Sequence, residues 1–145
     1  MTHRIFAILL ATLSVPALAQ DARWSAGGSE GDLEYFIDQD GMRFFIACPT
    51  ARGQADLASA VTLHHNDMSE VEKFSVTVNG VTVDGPLNAD STAGAARFTS
   101  LIENLRKADA VVRHGDTTLR LPRANAAEVL PAPGKDFPCN LLPGE

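Results

Sequence analysis

Apolar and polar residues alternate over Asp32–Asp38 (DLEYFID), with Leu33, Tyr35 and Ile37 on one side. They alternate again over Met42–Cys48 (MRFFIAC), where Met42, Phe44, Ile46 and Cys48 fall together. A period of two sends successive side chains to opposite faces, so both runs predict half-buried strands. Gln39-Asp40-Gly41 lies between them. Asp-Gly between alternating runs predicts a hairpin, and Pro49 ends the second strand because it cannot donate to a ladder. Lys73–Val78 and Val81–Asp84 flank Asn79-Gly80, a pair suited to the positive φ angles of a type I′ turn. Asp109–His114 and Thr117–Leu121 flank Gly115-Asp116 and predict a third hairpin. Leu57–His65 reads as a further strand, with its pattern clearest from Ala60 onward.

After a turn over Gly85–Asp90 the period lengthens. Phe98, Leu101, Ile102 and Leu105 follow the i, i+3, i+4, i+7 spacing of a helix with one buried face, predicted over about Ala93 to Ala108. Ser91 or Thr92 supplies its capping oxygen. Arg106 and Lys107 fall in its last turn, where the helix dipole favours cations. Ala124–Leu130 predicts a short helix stopped by Pro131. Gln20–Gly31 is polar and glycine-rich around Trp24 and reads as a flexible arm; Thr50–Asp56 and Asn66–Glu72 read as a loop and a polar turn. The stretch Pro131–Glu145 reads as an irregular, proline-rich tail. The expected fold is α+β: an antiparallel β-rich sandwich or sheet of about seven short strands, with one amphipathic helix packed on it. The 145 residues suffice for a single domain.

The first residues do not belong to that domain. A basic start at Arg4, an apolar run over Ile5–Leu13 and the small-x-small triplet Ala17-Leu18-Ala19 are the parts of a secretory signal. Cleavage is expected between Ala19 and Gln20. The run is too short to cross a bilayer, which needs about 20 apolar residues, and no second run follows. The expected product is periplasmic or secreted, with no membrane span. In that setting an even cysteine count reads as a disulfide, and Cys48 and Cys139 are the two cysteines. Neither belongs to a C-x-x-C pair, so a structural bond is expected rather than a reactive thiol.

Composition narrows the partners. With 45% hydrophobic and 21% charged residues the chain is globular, and its net charge of -6 argues against nucleic acid, which needs clustered Lys and Arg. Removing the leader takes away Arg4 and leaves -7. Gln20–Asp90 holds 4 basic and 12 acidic residues, whereas Ser91–Glu145 holds 7 and 6. The acidic half is where a basic partner surface is expected.

Several residue groups invite chemistry. His64, His65 and Asp67 could ligate a metal or share a proton, with His114 joining if the fold brings it near. Adjacent strand residues face opposite ways, however, so His64 and His65 cannot serve one ion. Gly27-Gly28-Ser29-Glu30-Gly31 fits G-x-S-x-G, but that nucleophile needs a strand before it and a helix after it, and a strand is expected to follow. Asp38-Gln39-Asp40-Gly41 begins like a calcium loop, yet its twelfth position is Pro49 and not Glu. Asp67, Glu70 and Glu72 read as a solvated acidic turn. Arg113, Arg120 and Arg123 could share a face and hold a carboxylate or phosphate. Trp24 is core packing if buried and a partner anchor if exposed. Trp24, Arg113 and Arg120 are therefore the candidate partner contacts.

The segment FTSLIENLRKADAVVRHGDTTLRLPRANAAEVL places an amphipathic helix, a short hairpin and a small-residue helix in succession. Over roughly Arg97–Leu130 it resembles the closing segment of small exported proteins of the invasion-associated locus B type. The resemblance implies a secreted β-rich domain and supplies no catalytic residues. The expected function is an exported, non-enzymatic binding or interaction module of the envelope or medium, with no cofactor. The alternatives are a small metal-binding protein or hydrolytic enzyme using His64, His65 and Asp67, and an accessory domain of a larger envelope complex.

Overall fold

The alternating runs become strands because one face of each can leave water. Ile37, Ile46, Leu63 and Phe44 are fully or almost fully buried, while Phe36 and Phe45 are only partly buried on the opposite face. The computed structural model describes residues 22–142. The predicted leader and cleavage point lie outside them.

Nine strands form two antiparallel sheets. Strands β1 (Ser25–Ser29), β2 (Asp32–Gln39), β3 (Met42–Pro49) and β4 (Ala60–His65) lie side by side, and β7 (Leu87–Asn88) pairs with the free edge of β4. Strands β6 (Val81–Gly85), β5 (Phe74–Val78), β8 (Ala110–His114) and β9 (Thr117–Leu121) form the second sheet in that order. Helix α1 (Thr92–Leu105) packs against β5 and β7, and α2 (Ala126–Val129) follows β9. One core joins both sheets and the helix. Phe44 sits at its centre, edge-on to Trp24 at 6.1 Å and to Phe74 of the second sheet at 6.3 Å.

The hairpin turns carry the backbone their sequences call for. Asp40 and Gly41 have φ of 48° and 78°, and Asn79 and Gly80 have 51° and 74°. Positive φ at both central residues is the type I′ arrangement that matches strand twist. This assigns Asp38–Gly41 to a hairpin rather than to a calcium loop.

Several elements differ from expectation. Ser25–Ser29 is a strand and not a flexible arm. Glycine is a poor strand former, so this segment gains its order from the edge that β2 offers and from Trp24 beside it. Trp24 is buried, its Nε1 donating to the Pro122 carbonyl at 3.3 Å. Its backbone N–H donates to Asn125 Oδ1 at 2.8 Å, and Asn125 Nδ2 returns a bond to the Trp24 carbonyl at 3.0 Å. Trp24 is therefore packing and not a partner contact. Leu87–Asn88, expected as turn, is a two-residue strand too short to show a pattern. Strand β4 starts at Ala60, leaving Leu57 exposed before it, and α2 is confined to Ala126–Val129.

Helix α1 stops at Leu105, three residues before the expected end, with Arg106 as its C-cap. Arg106 and Lys107 lie beyond the last turn. Arg106 donates Nη1 to the Leu130 carbonyl at 2.7 Å, and Lys107 pairs with Glu103 at 2.9 Å. Ser91 caps the start, accepting from the Gly94 N–H at 3.0 Å. Gly94 also meets β7 closely: a Cβ there would overlap the Asn88 carbonyl oxygen. Ser91→Ala is expected to cost about 1 kcal/mol in chemical denaturation, with Ser91→Asp retaining most of it.

The tail is stitched rather than loose. Cys48 and Cys139 are bonded across 91 residues. The Asn140 N–H donates to the Pro49 carbonyl, and its side-chain amide donates to the carbonyls of Gln54 and Leu57. Among the described residues, no helix is long and apolar enough to cross a membrane.

Candidate functional site

With the inner faces consumed by the core, the outer face of the first sheet carries the side chains left over from the alternation. Strand register arranges them in rows. Phe36 and Phe45 are directly opposite, flanked by Ser25 on β1 and Thr62 on β4. The next row is Asp38, Arg43 and His64; on the other side lie Gly27, Glu34, Ala47 and Ala60.

Local contacts order this face. The Arg43 guanidinium lies 4.1 Å over the Phe36 ring. It also forms a two-point pair with Asp38, at 2.7 and 2.8 Å. That hydrogen bonding holds the Asp38 carboxyl below the usual carboxylate range. The His64 ring stands edge-on to Phe45 at 6.0 Å, with Nε2 2.8 Å from the Thr62 hydroxyl. The arrangement is an aromatic surface with Glu34 and Asp38 beside it and the Thr62 hydroxyl held by His64.

A groove of about 470 Å³ opens at the Cys48 end of the same sheet. Leu33, Ala51, Phe137 and Pro138 line it, with Glu30 and Arg52. Gly31 and Gly53 approach so closely behind it that a Cβ on Gly53 would overlap the Gly31 backbone. The Thr50 hydroxyl locks the loop by donating to the Glu30 carbonyl at 2.8 Å.

The structure separates the predicted histidine cluster. His64 lies on the outer face, whereas His65 turns toward the second sheet and meets His114, ring centroids 5.6 Å apart. Asp67 is occupied by its own turn, accepting from the Ser69 N–H at 3.0 Å and hydroxyl at 2.6 Å, and these bonds hold its carboxyl below the usual carboxylate range. Among the described residues, no three His, Cys, Asp or Glu side chains converge as metal ligands. Arg113 and Arg120 share the outer face of the β8–β9 hairpin, but Arg120 and Arg123 are engaged locally. Arg120 pairs with Asp109 at 2.6 Å, and Arg123 donates Nε to the Arg106 carbonyl at 3.3 Å. Arg113 projects from the outer face of the second sheet, opposite Ser75 and Thr118. Ser29 ends β1 and is followed by strand β2, so the helix required by a nucleophile elbow is missing.

Sequence reasoning passed over Phe36 and Phe45. The alternation already sends both to the face opposite Tyr35, Ile37, Phe44 and Ile46; the register is what sets them directly opposite each other.

A family model described as YfjT matches residues 22–130. The chain belongs to the YfjT family. The YfjT match spans both sheets, both helices and Cys48, and it ends before Cys139. The disulfide thus ties the YfjT region to the tail that follows it. Nothing in this match connects the chain with the invasion-associated locus B proteins. No curated relative and no solved structure matches the chain.

Proposed function

We propose that the protein is an exported, non-enzymatic interaction module that engages a partner with a basic surface through the outer face of its first sheet. The observation that carries this reading is the Phe36–Phe45 pair, partly buried on the outer face between the rows of Glu34 and Asp38. A central aromatic pair with charges around it is the usual anatomy of a binding hot spot. Arg43 is already paired with Asp38, so the carboxylate of Glu34 and those of Asp32 and Glu30 set the sign of the surroundings. Export is supported by the leader sequence and by the disulfide, which persists in oxidising compartments. The non-enzymatic part is supported by the fate of Asp67, Arg120 and His64, each engaged in local structure.

The test is capture from an envelope extract. The wild-type chain is expected to enrich a basic protein that the Phe36→Ser/Phe45→Ser variant does not, with capture weakening as salt rises. No enriched protein, or equal enrichment by both chains, would overturn the reading.

A further inference from the structure

Strand β1 is an open edge of the first sheet: β2 pairs with one side of it, and all five of its residues are exposed. Among the described residues the other sheet ends are packed, β6 against β4, β9 against β2 and β7 against α1. We propose that β1 takes up an extended, basic segment of a partner protein as an added strand, with a Lys or Arg side chain of that segment meeting Glu34 across Gly27; this rests on the outer face being the partner site, and adds how the partner docks.

The backbone points to strand addition. The Trp24 N–H donates to Asn125 Oδ1 at 2.8 Å, and the Trp24 carbonyl accepts from Asn125 Nδ2 at 3.0 Å, so both groups turn away from β2. Bonding alternates along an antiparallel strand, which gives the N–H and C=O of Ala26 the same outward direction. The Asn125 amide therefore stands where a neighbouring strand would stand for one residue. Beyond it, the edge of β1 has no partner among the described residues. Edges are commonly blunted with Lys or Pro, and Ser25–Ser29 carries neither.

Charge selects the occupant. Gly27 faces Glu34 across the β1–β2 ladder, and a Cβ on Gly27 would lie 3.9 Å from Glu34 Oε2. The carboxylate thus lies beside a residue with no side chain of its own, one strand from the open edge. Among the described residues Glu34, Glu30 and Asp32 form no ion pair, whereas Asp38 is taken by Arg43. Glu30 and Asp32 flank the adjoining turn, and Arg23 stands at the other end of β1. A basic side chain opposite Gly27 is attracted there and an acidic one repelled. Two residues along the added strand, on the same face, an apolar side chain would lie opposite Ser25, in the row of Phe36 and Phe45. In strand addition the main-chain bonds supply affinity and the alternate side chains supply specificity.

The test titrates the protein, followed by nuclear magnetic resonance, with a short capped peptide of threonines in which valine, lysine and valine occupy alternate positions. Saturable one-to-one binding is expected, with the Ala26 N–H newly protected from hydrogen exchange. Glutamate in place of the lysine, or N-methylation of the peptide backbone, should each weaken binding by about tenfold or more. Ala26→Pro removes the outward N–H at a position where an edge strand tolerates proline, and should abolish binding while the fold persists. The N-methylated peptide asks the same question of the unaltered protein should that variant melt early. Glu34→Gln should erase the preference for lysine over glutamate. Strand addition is overturned by no saturable binding, by undiminished binding of the N-methylated peptide or to Ala26→Pro, or by a lysine preference that survives Glu34→Gln. A wild-type dimer that Ala26→Pro dissolves would also overturn it, giving the edge to a second copy. In the envelope extract, Ala26→Pro capturing the same basic protein as the wild type, while Phe36→Ser/Phe45→Ser does not, would sink strand addition alone and leave the outer face as the partner site.

Discussion

Replacing Cys48 and Cys139 together by serine is expected to lower stability by about 4–5 kcal/mol. The bond closes a 91-residue loop, and restricting so long a loop in the unfolded chain is where most of the stabilisation arises in the chain-entropy account. Strands β4 to β9 and both helices lie inside that loop. The double variant is the informative one, because a single serine leaves a free thiol that can pair between molecules. Urea denaturation should give the double variant and the reduced wild type the same midpoint, both well below that of the oxidised protein. A difference under about 1 kcal/mol between oxidised protein and variant would show that the backbone bonds of Asn140 and Leu142 hold the tail unaided.

Phe44→Ala is expected to cost about 3–5 kcal/mol, whereas Phe45→Ala, one residue along the same strand, costs about 1 kcal/mol or less. Phe44 is 1% exposed and bridges the sheets through Trp24 and Phe74, so its removal leaves a cavity between layers that cannot fully close. Phe45 faces outward, and its loss removes a cross-strand contact with Phe36 and the edge-on packing of His64. Thermal or urea melts of the two variants measure the contrast. Equal losses would mean that the outer face is covered in solution, and with it the proposed docking surface would fall.

The three hairpins illustrate what local sequence conveys. Asp40-Gly41 and Asn79-Gly80 specify a turn whose geometry is almost independent of the rest of the chain, and the flanking alternation then fixes which side chains share a face. The same holds for α1, where Phe98, Leu101, Ile102 and Leu105 name the buried stripe and Ser91 names the cap. The disulfide was legible because two cysteines admit one intramolecular pairing.

What remained hidden depends on contacts between distant segments. Ser25–Ser29 and Leu87–Asn88 become strands only because β2 and β4 present edges to them. Nothing within five glycine-rich residues, or within two residues, encodes that pairing. Trp24 is core because Pro122 and Asn125, about a hundred residues later, receive it. That His64 and His65 face opposite ways follows from strand geometry, but that His65 meets His114 of the other sheet does not. The sequence by itself determined the turns, the helix, the inward residues of the long strands and the disulfide, since each rests on periodicity, turn chemistry or a count. The order of the strands, the pairing of Phe36 with Phe45, and the meeting of His65 with His114 were decided by tertiary structure. They arise from how two twisted sheets pack across a shared core, which no local pattern contains.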